Sequence, residues 1–367
     1  MKKVLTVGGA MRDIFIQYKH IDTLHLHTKE ADHAYVIMQE GRKIEVKHLA
    51  YYVGGGAANS AVSFARLGFD VTSFFKLGMD QEAKFILSTL RKEKVGTENV
   101  VYSKKESTGT SFIIPNKSGN RTVLVYRGAN IMLTKKELPQ QAISVCDQLY
   151  ITSLSGLAAR LLLPITVLAK KYNKSVATNP GTSQLMGEAS LLKQALPNID
   201  ILILNSFEAQ LLMASIITIP LSENVFSLKK KGAKKLPQLL REPMGSPTIC
   251  FTLPQFFREM QKQGPRIIVV TNGSEGVYAA QNDTIFFHPS LLVRVVSTLG
   301  AGDAFGSCFV AQLMQDKPIE YAIRAGIVNS ASVIQDLDTQ TSLCNASSLQ
   351  RKLKGLDSSL LQTFSLS

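Results

Sequence analysis

The sequence predicts an α/β fold: a doubly wound, mainly parallel sheet flanked by helices, with a small antiparallel β lid. Short apolar runs alternate with segments of helical periodicity over most of the 367 residues. This alternation is typical of a parallel sheet whose strands are joined by helical crossovers. Two other regions carry β-rich arms on either side of a polar turn, which indicates hairpins. Because 45% of the residues are hydrophobic, the chain can bury a large core.

Six apolar runs predict strands that are buried on both faces. They lie at 4–9, 70–78, 148–153, 175–181, 199–205 and 266–273. Helical patterns lie among them at 58–68, 82–96, 159–173, 205–215 and 253–264. A further apolar run, LLVRVV at 291–296, predicts a strand that leads into a glycine turn and then a helix at 303–314.

The two predicted hairpins are SFIIPNKSGNRTVLVYRG at 111–128 and AYVIMQEGRKIEVKHLAYYV at 34–53. We expect lid segments at about 14–53 and 109–128, because a lid over one end of the sheet excludes water from a reaction. The alternative is an edge decoration without function. From 214 to 252 the alternation gives way to Lys, Pro and Ser, which predicts a basic surface insertion. We interpret residues 1–367 as one domain that contains these segments.

The net charge of +13 would suit an anionic partner. The densest basic cluster, KKKGAKK at Lys229–Lys235, has no interleaved aromatic residues, so we interpret it as a solvated loop and expect no nucleic-acid partner. Charge returns at Arg12 and Asp13 before the apolar opening reaches the length of a signal core or a membrane span, so no membrane partner is expected. The four cysteines lie far apart without a CxxC pair. This spacing indicates neither a disulfide framework nor a zinc site and favours a cytoplasmic location.

One carboxylate, Asp303, follows a run of residues with almost no side chain in STLGAGDAF. Gly300 and Gly302 permit a tight turn whose backbone N–H groups converge at a helix N-terminus, a place that favours an anion. A carboxylate there can accept a proton from a hydroxyl while the amides stabilise a transferring phosphoryl group. One alternative is an Asp helix cap. Another is a dinucleotide-binding pattern that includes Gly306 and Glu320, but Glu320 begins a helix instead of ending a strand, which argues against it.

Three other stretches place polar groups at turns. Asn59 follows the glycines of YVGGGAAN and stands at the start of an amphipathic helix; its amide suits a polyhydroxylated substrate, and packing alone is the other explanation. Asn205 and Glu208 follow an apolar strand, where oxygen ligands hold Mg²⁺ with its waters, and the pair also resembles a capping box. TNGSEG at 271–276 can set backbone against a nucleotide or form a hairpin turn. No GxxxxGK[ST] motif occurs, so a phosphate cradle must come from these glycine turns.

Together, GGGAAN with ARLG downstream, NSFE and STLGAGDAF resemble the signatures of the ribokinase-like (PfkB) family of carbohydrate and nucleoside kinases. The resemblance runs in the expected order from Val4 to about Val333. It implies that Asp303 is the catalytic base and that the anion hole is formed by Gly300, Ala301 and Gly302. It implies a magnesium and phosphate site, with the metal held through water, at Asn205 and Glu208. It implies nucleotide contacts at Thr271, Gly273, Gly276 and Asn329, and substrate contacts at Asp13, Gly55, Gly56 and Asn59.

The resemblance implies a kinase that uses ATP and Mg²⁺ to phosphorylate a hydroxyl, by expectation a primary one, of a sugar or sugar-like substrate. A nucleoside kinase on the same fold, of the adenosine or inosine/guanosine type, is one alternative, and a nucleotide-binding protein without turnover is another. The resemblance also implies a homodimer through the lid. Arg121 and Arg127 lie on or beside the lid arm, where they could meet an anionic substrate or the transition-state charge.

Two departures from the family pattern concern a monovalent cation. Ser297 stands where the signature usually begins with Asp, and QDLDTQ at 335–340 lacks a glycine that relatives usually carry there. Both positions belong to the surroundings of a monovalent-cation site in many relatives. We therefore do not expect activation by K⁺.

Overall fold

The structure is a computed structural model that describes residues 1–19, 22–27, 32–115, 121–216, 236–246 and 249–366. Its strands are β1 (Lys3–Val7), β2 (Met11–Tyr18), β3 (Asp22–His27), β4 (Asp32–Ile37), β5 (Val46–Gly54), β6 (Asp70–Phe74), β7 (Lys76–Leu77), β8 (Val101–Tyr102), β9 (Thr110–Pro115), β10 (Arg121–Tyr126), β11 (Gln148–Ile151), β12 (Ser175–Thr178), β13 (Ile201–Asn205), β14 (Met244–Ser246), β15 (Ile249–Phe251), β16 (Ile267–Thr271), β17 (Val277–Gln281), β18 (Thr284–His288) and β19 (Gln362–Ser365). Its helices are α1 (Gly56–Arg66), α2 (Gln81–Lys92), α3 (Gln140–Val145), α4 (Leu162–Lys171), α5 (Thr182–Gly187), α6 (Ala189–Ala195), α7 (Ser206–Ile216), α8 (Gln238–Arg241), α9 (Leu253–Gln263), α10 (Ala301–Met314), α11 (Ile319–Val333) and α12 (Ala346–Lys354).

The central sheet has the strand order β19-β18-β17-β16-β13-β12-β11-β1-β6. Six neighbouring strands of this sheet pair in parallel: β6, β1, β11, β12, β13 and β16. Strands β17, β18 and β19 extend the sheet beyond β16 as an antiparallel edge. All six apolar runs predicted as buried strands lie in this structure as strands, and five of them are buried over almost their whole length. The predicted fold class, a mainly parallel sheet flanked by helices, is confirmed.

Helices cover both faces of the sheet because successive strand residues point to opposite sides. One face packs Val4, Tyr150 and Val269 against α1, α10 and α11. The other face packs Leu5, Ile151 and Val270 against α4, α7 and α9. The helices on the first face carry both glycine-rich motifs, so this layer positions the polar residues considered below.

A second, four-stranded sheet has the order β10-β9-β2-β5. The hairpin predicted for 111–128 forms between β9 and β10, with its tip at 116–120 outside the described residues. The prediction of a hairpin at 34–53 is wrong, because β4 and β5 do not pair with each other. Instead, β4 pairs with β3, and β5 pairs with β2. The eight residues of β2 are antiparallel partners of β5 along most of its length. This pairing satisfies backbone donors and acceptors that a short hairpin would leave without hydrogen bonds.

The strand predicted for 291–296 does not form. The edge of β18 that a following strand could join pairs with β19 instead. Leu292 is fully exposed, while Leu291 packs against the core.

The predicted basic insertion at 214–252 is described only in part. Residues 217–235, including KKKGAKK, and residues 247–248 lie outside the described ranges. The described part contains the short helix α8 and the two strands β14 and β15, which pair with each other. None of the helices in the described ranges combines the length and the apolar character that crossing a membrane requires.

Candidate active site

Asp303 lies in the first turn of α10, immediately after the predicted glycine turn. Gly300 begins this helix with a φ of 72°, and a Cβ at that position would lie 2.7 Å from Cβ of Thr339. Both facts require glycine there. The first turn of a helix leaves its backbone N–H groups without intrahelical acceptors, so the N–H groups of Ala301, Gly302 and Asp303 are available to an anion, as the glycine turn predicts.

The Asp303 carboxylate is held by a side chain from the other signature. Asn59 Nδ2 donates to Asp303 Oδ2 at 2.8 Å. Burial raises the pKa of Asp303 above its ordinary value, and the hydrogen bond from Asn59 opposes that rise because it stabilises the charged form. Asp303 is thus a carboxylate whose basicity is higher than that of an exposed aspartate.

Asn59 is itself fixed on its carbonyl side. Its Oδ1 accepts from Thr339 Oγ1 at 2.8 Å and from Gln340 Nε2 at 3.1 Å. The side chain is buried, with only 3% of its surface exposed. The resemblance implies that this amide contacts substrate hydroxyls. In this structure both ends of the amide bond to the protein, and we propose that Asn59 positions Asp303.

The glycines before α1 face a small cavity. Gly55 has a φ of 94°, and a Cβ there would lie 2.5 Å from the carbonyl oxygen of Gly9, so only glycine fits. Gly55 and Gly56 line a cavity of about 110 Å³. A Cβ on Gly56 would lie 3.3 Å from Asp303 Oδ1, which places the carboxylate next to this cavity.

Asp13 lies on β2 and is buried close to the same region. Its parallel register partner on β9 is Ser111, whose hydroxyl donates to Asp13 Oδ1. Burial raises the pKa of Asp13 to about 6; the Ser111 hydrogen bond lowers it, while the charges of Asp303 and Asp338 add to the rise. The charge of Asp303, the predicted base, therefore contributes to the raised pKa of Asp13, a predicted substrate contact.

A larger cavity of about 350 Å³ lies on the other side of the α10 N-terminus. Thr271, Gly273 and Gly276 line it together with Ala301 and Gly302, as the predicted nucleotide and anion contacts require. Buried apolar side chains such as Val277, Phe305 and Ile327 complete its wall. Asp303 directly follows two residues that line the larger cavity and lies next to Gly56, which lines the small one, so its carboxylate lies between the two cavities.

Asn205 and Glu208 form a reciprocal cap at the start of α7. The backbone N–H of Asn205 donates to Glu208 Oε2 at 2.9 Å, and the backbone N–H of Glu208 donates to Asn205 Oδ1 at 2.8 Å. Asn205 is the register partner of Thr271, which lines the larger cavity. Burial raises the pKa of Glu208, and hydrogen bonding by Asn205 partly offsets this rise.

The side-chain oxygens of Asn205 and Glu208 suit a hard cation bound through water. Glu208 Oε1 has no hydrogen bond to the described residues, and amide and carboxylate oxygens are the ligands that Mg²⁺ prefers. In the part of the chain that the structure describes, no group of three His, Cys, Asp or Glu side chains is arranged to hold a metal directly.

Asn329 is not brought to the larger cavity. Its side chain is fully buried in α11. Its Nδ2 donates to the carbonyl of Ala304 at 2.8 Å, and its Oδ1 accepts from the backbone N–H of Cys344 at 2.8 Å. We therefore leave Asn329 out of the nucleotide contacts proposed below, because both ends of its amide are already satisfied by the protein.

Two residues of the alternative dinucleotide pattern have packing or surface positions. A Cβ on Gly306 would lie 2.2 Å from the hydroxyl of Tyr150, so this glycine allows α10 to approach the sheet closely. Glu320 lies in the first turn of α11. This arrangement differs from the strand-end acid that a dinucleotide site uses.

The structure adds side chains that the sequence did not identify. Ser111, Thr339 and Gln340 hold Asp13 and Asn59 in place. Ser111 was inside a predicted hairpin arm, and its register with Asp13 is the only signal that would have found it. Thr339 and Gln340 lie in QDLDTQ, where the sequence had shown only a missing glycine.

Arg121, at the start of β10, reaches across to the α10 side of the site. Its Nη1 donates to Thr298 Oγ1 at 2.5 Å, and Thr298 lines the larger cavity. Burial lowers the pKa of Arg121. No carboxylate of the described residues forms an ion pair with it.

The sequence profile of the pfkB family of carbohydrate kinases matches residues 3–236 and 253–346. Among curated relatives, the ribokinase of Staphylococcus aureus (strain COL) is 27% identical over 312 residues, which cover 83% of this chain and 90% of that protein.

Two solved structures share the fold. The structure of Arabidopsis thaliana ribokinase complexed with ribose and ATP has a TM-score of 0.72 at 20% identity, covering 96% of this chain and 99% of that one. The nucleoside kinase of Methanocaldococcus jannaschii has a TM-score of 0.69 at 17% identity, covering 97% of this chain and 99% of that one.

Proposed function

The chain belongs to the pfkB family of carbohydrate kinases, and within that family of phosphotransferases we propose that it transfers the γ-phosphoryl group of ATP to a hydroxyl of a sugar or sugar-like substrate, by expectation a primary hydroxyl. The observation that carries this proposal is the position of Asp303, which lies between the two cavities and is held by Asn59 at 2.8 Å.

The small cavity takes the acceptor hydroxyl. Gly55 and Gly56 allow the acceptor to approach the backbone closely, and Asp13 offers a carboxylate to other hydroxyls of the substrate. Asp303 accepts the proton of the attacking hydroxyl as its oxygen bonds to phosphorus. The bond between the γ-phosphorus and the β,γ-bridging oxygen breaks in line, and that oxygen leaves with ADP.

The helix N-terminus stabilises the transferred group. The free N–H groups of Ala301, Gly302 and Asp303 lie at the positive end of a 14-residue helix and favour the charge that spreads over the equatorial phosphoryl oxygens. These donors are fixed before the reaction, so they cost no reorganisation as the charge develops.

The larger cavity takes the nucleotide. Its apolar wall suits an adenine ring, and the backbone at Gly273 and Gly276 suits the phosphates and ribose. Asn205 and Glu208 would hold Mg²⁺ through water, and the ion, when bound, would neutralise charge on the phosphates. Arg121 reaches Thr298 beside the anion hole and adds a positive charge where the phosphoryl group passes.

Residues 1–367 form one kinase domain in which segments 14–53 and 109–128 act as a lid. The lid also serves as a homodimer interface, and the chain works in the cytoplasm without a nucleic-acid or membrane partner. K⁺ does not activate the reaction, since Ser297 offers a neutral hydroxyl where the family signature usually has a carboxylate.

A nucleoside kinase is the second candidate, and the similarity of the fold to the M. jannaschii nucleoside kinase favours keeping it. A panel of sugars and nucleosides, assayed with ATP and detection of ADP, separates the two. The sugar-kinase proposal predicts acceptor-dependent ADP release with a sugar. Release with nucleosides alone would support the second candidate, and nucleotide binding without ADP release across the whole panel would indicate a binding protein without turnover.

A further inference from the structure

Arg127 is a charged residue to which the proposed reaction assigns no role. It directly follows β10 and lines the small cavity together with Asn130, Ser153 and Ser155. Its side chain is exposed. The salt bridges within the described ranges do not include it.

The backbone around Arg127 is tied to the wall of the cavity. The N–H of Ala129 donates to the carbonyl of Ser107 at 2.8 Å. Asn130 bonds both backbone groups of Ala10, donating to its carbonyl at 2.8 Å and accepting from its N–H at 3.1 Å. Because these contacts fix both sides of the turn, the backbone of Arg127 is held at the edge of the small cavity.

The charged and hydroxyl groups that line this cavity can all donate hydrogen bonds. Arg127 is its only charged lining residue, and no carboxylate lines it among the residues that the structure describes. The hydroxyls of Ser153 and Ser155 have no hydrogen-bond partner among those residues, so both can donate into the cavity. A guanidinium with two free hydroxyls is the donor set that binds a carboxylate or a phosphate.

The positive charge of Arg127 is not among the groups that shift the pKa of Asp13 or of Asp303. The charges that raise the pKa of Asp13 come from Asp303 and Asp338, and the hydrogen bond that lowers the pKa of Asp303 comes from Asn59. The surroundings of the small cavity therefore differ in charge from end to end. The carboxylates proposed to contact hydroxyls lie at one end, and the guanidinium of Arg127, which has no ion pair in the described residues, lies at the other.

We propose that the acceptor is a sugar derivative that carries an anionic group, a phosphate or a carboxylate, and that Arg127 with Ser153 and Ser155 binds that group. This inference rests on the proposed function, because it assumes that the small cavity holds the acceptor. It specifies the substrate class of the same site: a hydroxyl for phosphorylation at the Asp303 end and an anion at the Arg127 end.

The test compares matched neutral and anionic acceptors. D-Ribose with D-ribose 1-phosphate forms the phosphate arm, and D-glucose with D-gluconate forms the carboxylate arm. We expect kcat/KM to be higher for the anionic member of one arm, and the arm that shows it identifies the anion. The substitution Arg127→Gln is expected to lower this preference by about 10- to 100-fold, as the loss of a charged hydrogen bond implies.

The matched control is Arg91→Gln, an exposed arginine on α2 that is expected to leave the preference unchanged. Equal kcat/KM values for neutral and anionic members in both arms, with no effect of Arg127→Gln, would overturn the inference while leaving the kinase proposal standing.

Calorimetric titration of the same four acceptors separates failure of the inference from failure of the proposed function, because binding needs no turnover. Tighter binding of an anionic member, lost in Arg127→Gln, supports the inference even if no acceptor is phosphorylated. Equal binding of neutral and anionic members, or an anion preference that Arg127→Gln keeps, rejects it.

Discussion

The amide of Asn59 donates to the carboxylate of Asp303 across 2.8 Å, although the two residues are 244 positions apart in the chain. One stands at the start of α1 and the other at the start of α10, and these helices pack side by side on one face of the sheet. The contact joins the two glycine-rich signatures into one site. It also makes the basicity of Asp303 depend on a residue that the acceptor need not touch.

Substitution of Asn59 by Leu is expected to move the acidic limb of the pH profile of kcat/KM to higher pH. The hydrogen bond from Asn59 lowers the pKa of Asp303, so its loss raises that pKa and reduces the deprotonated fraction at a given pH. The control is Ser63→Ala, which removes the 2.7 Å hydrogen bond between Ser307 Oγ and Ser63 Oγ elsewhere between α1 and α10. An unshifted limb in Asn59→Leu would argue against the positioning role.

Asp13 is expected to make the fold less stable as the pH rises. Burial raises its folded pKa to about 6, above the unfolded value of about 3.9. The stabilisation from its protonated form is full below the unfolded pKa and is lost as the pH rises through the folded one. Asp13→Asn should therefore gain about 2 kcal/mol in free energy of unfolding, relative to the wild type, between pH 4 and pH 8.

Urea unfolding of both proteins at the two pH values measures this gain. A stability difference between Asp13→Asn and the wild type that does not change with pH would contradict the raised pKa. Because Asp13 is also proposed to bind the acceptor, the variant should lose acceptor affinity while it gains stability.

Arg121→Gln is expected to lower kcat/KM for ATP by about tenfold or more, because a cation beside the anion hole favours the charge of the transferring phosphoryl group. ADP affinity should change far less. Thr298→Val is the matched variant: it removes the hydroxyl to which Arg121 donates but keeps the positive charge, and its effect should be smaller. Wild-type kinetics in Arg121→Gln would show that this arginine has no part in the reaction.

Exchange of Na⁺ for K⁺ in the assay is expected to change kcat less than about twofold. Ser297 provides a hydroxyl that accepts from the backbone N–H of Leu299 at 3.3 Å, and a neutral oxygen attracts a cation less than a carboxylate does. Steady-state rates in matched chloride salts measure this. Activation by K⁺ of tenfold or more would show that other oxygens complete the site.

The central sheet could be predicted from the sequence because buried parallel strands are apolar along their whole length. Runs such as ILILN in β13 and IIVVT in β16 carry this signal locally. The pairing of β5 with β2 could not be predicted in the same way. Both strands have mixed burial, and their partner choice depends on contacts between distant segments.

The site could be predicted to the level of its motifs but not of its contacts. Asp303, Gly300 and Gly55 lie where their local sequence requires, because turns and helix starts are local structures. The orientation of Asn329, which points into the core instead of a cavity, depends on Ala304 and Cys344 from other segments. The hold of Thr339 on Asn59 likewise depends on chain segments that meet only in the folded protein.

The most direct test of the central claim is the turnover of Asp303→Asn. The amide keeps the shape of the carboxylate but cannot accept the proton of the acceptor hydroxyl, so kcat is expected to fall by about 10²- to 10⁴-fold, while calorimetric ADP affinity stays within a few fold of the wild type. Wild-type kcat in this variant, with ADP bound normally, would contradict the assignment of Asp303 as the base.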